Sequence, residues 1–259
     1  VTRRATLVAF VAVVMAASPA LGVDPLITDR PDFTESPNAV ATGVVQFEAG
    51  ATFAEFADAS ETTTLGEVLV RWGVLPRLEM RFVLPTYTWT DGRSGRSSGF
   101  VDSGVGLKYQ FADGGGRGVL GGMEAGLIVS TTVPTGGAEF SSPAWQPVAV
   151  AAAGWDLGSS FGLGVNVGVG RPADDTDRYT TVWASAALGV GVTDDLSLFF
   201  ELIGFNREEA RGPNTATFQT GVVYLLSPDL QIDFRLGRRL TDHGTDLLLG
   251  AGVSWRLGG

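Results

Sequence analysis

The chain has one histidine, His243, in the stretch TDHGTD, with Asp242 and Asp246 close by. A histidine oriented by a carboxylate can act as a general base, and with a nearby hydroxyl it could form a hydrolytic triad. A loop crowded with small polar residues explains the same stretch more simply. The run Asp174, Asp175 and Asp177 in RPADDTDRY offers oxygen donors of the kind that hold Ca²⁺. It reads more simply as a solvated acidic loop. One histidine and no cysteine leave no ligand set for zinc, and the G-x-G runs lack the strand-to-helix setting of a dinucleotide fingerprint. No catalytic residue, metal or cofactor is therefore expected, and the chain is not read as an enzyme.

The charged residues that remain are spaced by strands. Glu67 and Arg71 share one parity of an apolar segment, and Glu79 and Arg81 share one parity of the next. Asp102 and Lys108 repeat the pattern, as do Glu124, Glu201, Asp233 with Arg235, and Arg256, while Asn166 holds the corresponding face of FGLGVNVGVG. Apolar side chains fill the opposite parity throughout. The interpretation then depends on the elements that carry these residues.

The chain has 259 residues, 44% of them hydrophobic and 18% charged, with 36 glycines and a formal charge of -10. Mean hydropathy is +0.19. No Lys/Arg cluster is present to displace counterions from phosphates, so no nucleic-acid partner is expected. Residues 1–22 read as a signal peptide: Arg3 and Arg4, an apolar run from Ala5 to Ala17, then small residues suited to cleavage. That run is shorter than the roughly 20 residues a membrane-spanning helix needs. Residues 23–43 form a polar N-terminal segment containing TDRPDFTESP, whose two prolines suit neither helix nor strand.

From Val44 to residue 259 the apolar residues alternate with period two. Twelve strands are predicted at 44–56, 63–74, 78–89, 101–111, 119–132, 146–156, 161–170, 180–192, 196–205, 215–226, 230–238 and 245–257. Connectors after even strands, such as LPR and SPD, are mostly short; those after odd strands, such as TDGRSGRSSG (90–99) and TGGAEFSSPA, are long and polar. This is the rhythm of an all-β, closed antiparallel transmembrane β-barrel of about 12 strands, with short periplasmic turns and long outer loops. Magnitude sets the facing. A basic residue on the lipid side at mid-bilayer costs roughly 2–4 kcal/mol. Arg71, Arg81, Lys108, Arg235 and Arg256 turned outward would together cost on the order of 10 kcal/mol, as much as a domain's whole stability. They must face the lumen.

With that facing, the wall carries six acids (Glu67, Glu79, Asp102, Glu124, Glu201, Asp233) against five bases, and strong ion selectivity is not expected. In FGLGVNVGVG the glycines line the lumen and either leave room for a bore or seat a neighbouring side chain. Outward Trp72, Tyr109, Phe111, Tyr224 and Trp255 fall at the turn-side ends, as an interfacial girdle would. Two features resist this scheme. Glu55 has outward parity, so the first strand must bulge or leave the membrane there, and WQPVAVAAAGW is apolar on both faces. Asp29, Arg30, Asp32, Phe33 and Glu35 either fold into the periplasmic mouth as a plug, with Arg30 meeting a lumen carboxylate, or belong to a disordered leader that separates the signal peptide from the first strand.

TDRPDFTESP, GFVDSGVGLKYQF, VPTG and the closing YLLSPDLQIDFRLG…GAGVSWRL resemble a bacterial outer-membrane transporter family linked to the phenol-degradation meta-pathway. The resemblance spans essentially the whole chain after the signal peptide. It implies a barrel in the outer membrane of a Gram-negative-type bacterium that passes small solutes, hydrophobic or aromatic ones among them. The expected partners are outer-membrane lipid, a small-molecule solute and the barrel-assembly machinery. The expected function is a passive channel in which the twelve lumen residues named above contact solute. The alternative is a closed structural or adhesive barrel that transports nothing.

Overall fold

A strand in hydrocarbon must find a partner for every backbone N–H and C=O, which only a closed sheet provides. The computed structural model describes residues 26–93, 95–115, 121–158, 160–174 and 177–258. The signal-peptide stretch lies outside them. The described strands are β1 (Val45–Phe56), β2 (Glu61–Leu65), β3 (Leu69–Leu75), β4 (Leu78–Val83), β5 (Tyr87–Gly92), β6 (Gly95–Phe100), β7 (Ser103–Asp113) and β8 (Met123–Val133). They continue with β9 (Gln146–Asp156), β10 (Phe161–Gly170), β11 (Thr181–Gly191), β12 (Leu196–Phe205), β13 (Thr215–Ser227), β14 (Leu230–Arg239) and β15 (Thr245–Leu257). All pairings are antiparallel, and β1 closes on β15 from Val45↔Leu257 to Phe56↔Thr245.

Three wall positions are split in two, so these strands make a twelve-position barrel. β1 pairs with β3 through Val45–Glu48 and with β2 through Ala51–Glu55. The breaks at 66–68, 84–86 and 101–102 abut: Leu84 N–H donates to Val68 O and Val101 N–H to Thr86 O, each at 2.9 Å. Local chemistry causes them. Gly66 has φ +78°, a left-handed turn that favours glycine, and Pro85 has no N–H to give to a ladder. Alternation alone makes 63–74 and 78–89 continuous, and it makes 90–99 a polar loop. In the structure that stretch belongs largely to the β5–β6 hairpin, which adds strand to the loop-side rim.

Facing follows the charges. On β7, Lys108 is fully buried while Leu107, Tyr109 and Phe111 are exposed to the surroundings. Trp72 and Tyr224 are also exposed near the turn-side rim, and Trp255 stacks on Phe47 at 4.9 Å. Beside Glu55 the β1–β15 register shifts, which places a bulge between Glu55 and Phe56. The ambiguous β9 turns Val150 and Ala152 inward, both buried, and leaves Ala151 exposed.

Candidate functional site: a luminal hairpin and the cavity above it

Residues 26–44 run up inside the barrel and back down. Leu26 N–H bonds Pro228 O at the turn-side rim, and Val44 N–H bonds Ala41 O just before β1 begins there. Between these points the segment climbs past β1, β15 and β14, crosses to β12 and β11 at Asp32–Phe33, and descends past β10, β9, β8, β7 and β4. Both ends of the hairpin lie at the same rim.

The wall charges hold this hairpin. Asp29 accepts from Lys108 Nζ at 2.8 Å and from Arg81 at 2.6 Å, with Arg71 at 3.5 Å. Arg71 in turn reaches Glu48 and Glu79, each at 3.0 Å. Arg30 lies 3.2 Å from Asp233 and 3.4 Å from Glu67. Glu201 accepts from the backbone N–H groups of Phe33 (3.0 Å) and Thr34 (2.6 Å), and Glu79 accepts from Val40 N–H at 2.9 Å. Asn166 brackets Glu35, accepting its N–H and donating to its carbonyl. The Glu35 carboxylate pairs with Arg81 at 2.7 Å, and Glu124 accepts from Asn38. Arg235 donates to Pro31 O at 2.9 Å.

Two of the predicted lumen residues serve other neighbours. Asp102 accepts four hydrogen bonds from Thr135, Gly136, Ser141 and Ser142 at 2.7–2.9 Å, pinning the 134–145 loop at the break before β7. Arg256 pairs with Asp229 of the turn at 2.6 Å. The remaining wall charges are spent chiefly on the hairpin or on one another: Glu48, Arg71, Glu79 and Lys108 are all 0% exposed. In this conformation they meet protein groups.

The inner-wall glycines are shaped to the hairpin. A Cβ on Gly126 would stand 2.6 Å from Pro37 O, one on Gly73 would stand 2.0 Å from Ala41 O, and one on Gly252 would stand 2.3 Å from the Arg30 side chain. In β10, a Cβ on Gly164 would meet Thr34 at 3.1 Å and one on Gly168 would meet the Trp183 ring at 2.1 Å. The bare face of FGLGVNVGVG is therefore the space taken by Thr34 and Trp183, and Asn166 is its one polar contact with the hairpin.

Counting the hairpin and Glu48 changes the charge balance. The lumen gathers Asp29, Asp32, Glu35, Glu48, Glu67, Glu79, Glu124, Glu201 and Asp233 against Arg30, Arg71, Arg81, Lys108 and Arg235. Of these the wall contributes six acids to four bases and the hairpin three acids to one base. Among the described residues, Asp32, Glu124 and Glu201 make no salt bridge; the partners of Glu124 and Glu201 are uncharged donors.

On the β8–β12 side the inner wall is apolar. Ile128, Val150, Ala152 and Trp183 form a buried cluster with Phe33, Val148 and Phe205 packed against it. The Phe33 ring lies 5.5 Å from Phe205 and 6.4 Å from Trp183, both edge-on, while Trp183 and Phe205 stack at 5.8 Å. Above the hairpin apex these three rings line a cavity of about 570 Å³ with Val148, Val150, Leu69 and Val83, opposite Asp32, Arg30 and Arg235. Parity of charges could not reveal Trp183 or Val150, because β9 and β11 carry no charge at the positions that pack the interior. Their only signal is an apolar residue on both parities, which a strand facing lipid on one side and protein on the other requires.

Among the described residues the polar loops gather no comparable site. His243 is exposed, and Asp246 is taken by Arg239. Asp174 accepts from the Asp177 N–H, and Asp175 lies outside the described residues. No group of three His, Cys, Asp or Glu side chains suited to a metal occurs among the described residues.

Three solved structures of similar fold give the architecture its context. The NanC porin aligns at TM-score 0.56 and 10% identity, over 82% of this chain and 100% of that one. The KdgM porin, solved with disordered oligogalacturonate, aligns at 0.50 and 10%, over 83% and 99%. The transport unit of the autotransporter AIDA-I from Escherichia coli aligns at 0.50 and 11%, over 83% and 90%. These likenesses establish the fold of an outer-membrane β-barrel. No curated protein matches the sequence. Residues 28–257 match the family model described as "Putative MetA-pathway of phenol degradation", a span that takes in the hairpin as well as the wall. The chain therefore belongs to that family.

Proposed function

We propose that the protein sits in the outer membrane of a Gram-negative-type bacterium and passes small solutes passively, hydrophobic or aromatic ones among them, with residues 26–44 as its plug. The observation that carries this reading is the cavity of about 570 Å³ above the hairpin, aromatic on one side and charged on the other. A two-faced chamber suits amphipathic small molecules, because an apolar ring is desolvated on one side while a polar group keeps its hydrogen bonds on the other. The wall charges then have two states. With the hairpin docked they are paired to it; with the hairpin withdrawn they line a wet bore and contact solute.

A closed structural barrel is the competing reading, and the docked hairpin favours it. Planar-bilayer recording separates the two. Deleting residues 24–36 should raise conductance and speed liposome swelling in small phenolics and sugars relative to the intact chain. If the deletion leaves conductance and flux unchanged while the barrel still folds, the plug is wrong. If neither form admits any solute, the barrel is structural.

A further inference from the structure

We infer that the cavity above the hairpin apex is a binding site for a small organic cation, seated among Phe33, Trp183 and Phe205 and charge-paired with Asp32. This rests on the channel reading and names the solute class the chamber selects.

Three independent observations converge there. First, the lumen holds more acids than bases, so its field attracts cations before any contact is made. Second, the excess is not spread evenly. Asp29, Glu35, Glu67 and Asp233 are each paired with a cation, whereas Asp32 lines the cavity without a salt bridge. Its neighbour Glu201, whose hydrogen-bond donors are uncharged, adds a second negative charge beside it. Arg235 lines the same cavity and makes no salt bridge among the described residues, but it is one base facing two carboxylates, so a net negative charge remains at the apex. Third, the three mutually packed rings line the same cavity. Aromatic faces attract an ammonium group through the ring quadrupole, most strongly where water is excluded. Asp32 and Phe33 come from the apex of the hairpin, and Trp183 and Phe205 from the wall beside it. Solute binding and hairpin docking are thereby linked, since withdrawing the hairpin removes half the site.

Benzylammonium, benzyl alcohol and benzoate share a shape and differ in charge, so calorimetric titration into the refolded chain in a non-ionic detergent tests the inference. Benzylammonium should bind at least tenfold more tightly than benzyl alcohol, and benzoate most weakly. Asp32→Asn should weaken benzylammonium about tenfold, the loss expected for one charge-assisted contact, while changing benzyl alcohol less than twofold. Trp183→Leu should weaken both. Equal affinity for the charged and neutral probes in the unaltered chain would overturn the inference whatever the variants do. So would an Asp32→Asn protein, shown folded by heat-modifiable migration, that keeps its preference, or the absence of measurable binding by any probe. Swelling assays on the 24–36 deletion keep the two readings apart. Flux without charge preference in the binding assay removes the site and leaves the channel, whereas selective binding without flux removes the channel and leaves the site.

Discussion

Asp29 faces three cations from three strands, and none of the three can reach water in its place. Removing one partner from a buried ionic cluster leaves uncompensated charge, at a cost of about 3–5 kcal/mol. Asp29→Asn should therefore loosen the hairpin without unfolding the wall, whose ladders do not depend on it. Hydrogen exchange would show this as faster exchange at the Phe33, Thr34 and Val40 amides, with β10–β14 unchanged. If those amides stay protected, the cluster does not hold the hairpin. The wall half of this cluster could be read from sequence, because an arginine in a greasy strand has only one affordable direction. The apolar half of the lumen could not. Trp183 and Val150 lie on strands with no inward charge to fix their facing, Phe205 shares the inward parity of Glu201 without showing what it packs against, and their partner Phe33 lies 150 residues away from Trp183 in the chain.

At the scale of elements, the wall and the hairpin make a matched pair. Gly126 admits the Pro37 carbonyl, and any larger residue must displace it. Gly126→Val should leave barrel assembly intact and undock the hairpin, seen as proteinase K cleavage within 26–43; a protected hairpin would show that the fit is loose. β10 offers a paired test of facing. Val165→Arg would put a guanidinium on the lipid side, at a cost of roughly 2–4 kcal/mol near mid-bilayer, and membrane assembly should fail. Asn166→Arg should assemble, as its inward parity allows. It should also raise conductance, because Asn166 is 1% exposed beneath Glu35 and an arginine there cannot fit under the docked hairpin. The reverse pattern would refute the register. Strand number and facing were legible because alternation and turn rhythm are local properties. The splits at 66–68, 84–86 and 101–102 were only half legible. Pro85 and Gly66 mark weak points, but the alignment of three breaks at one height depends on barrel stagger, which a single chain read residue by residue does not contain.

For the molecule as a whole, the interior divides by function along the circumference. Strands β1, β3, β4, β7 and β14 hold most of the charges that seat the hairpin, joined by Glu124 of β8 and Glu201 of β12, and β8–β12 hold most of the apolar surface that meets the cavity. The wall already carries more acids than bases, and the N-terminal segment doubles that excess, so the full charge of the lumen belongs to the assembled barrel. Because the hairpin enters and leaves by one rim, tension applied at Leu26 would be met by the Pro228 contact first, then by Glu48 and Asp233 in turn, and last by the aromatic apex. Such loading peels attachments singly and needs far less force than shearing them together, whereas pressure from the loop side pushes against all of them at once. The closure is thus built to yield to a pull at the turn-side rim and to resist a push from the loop side.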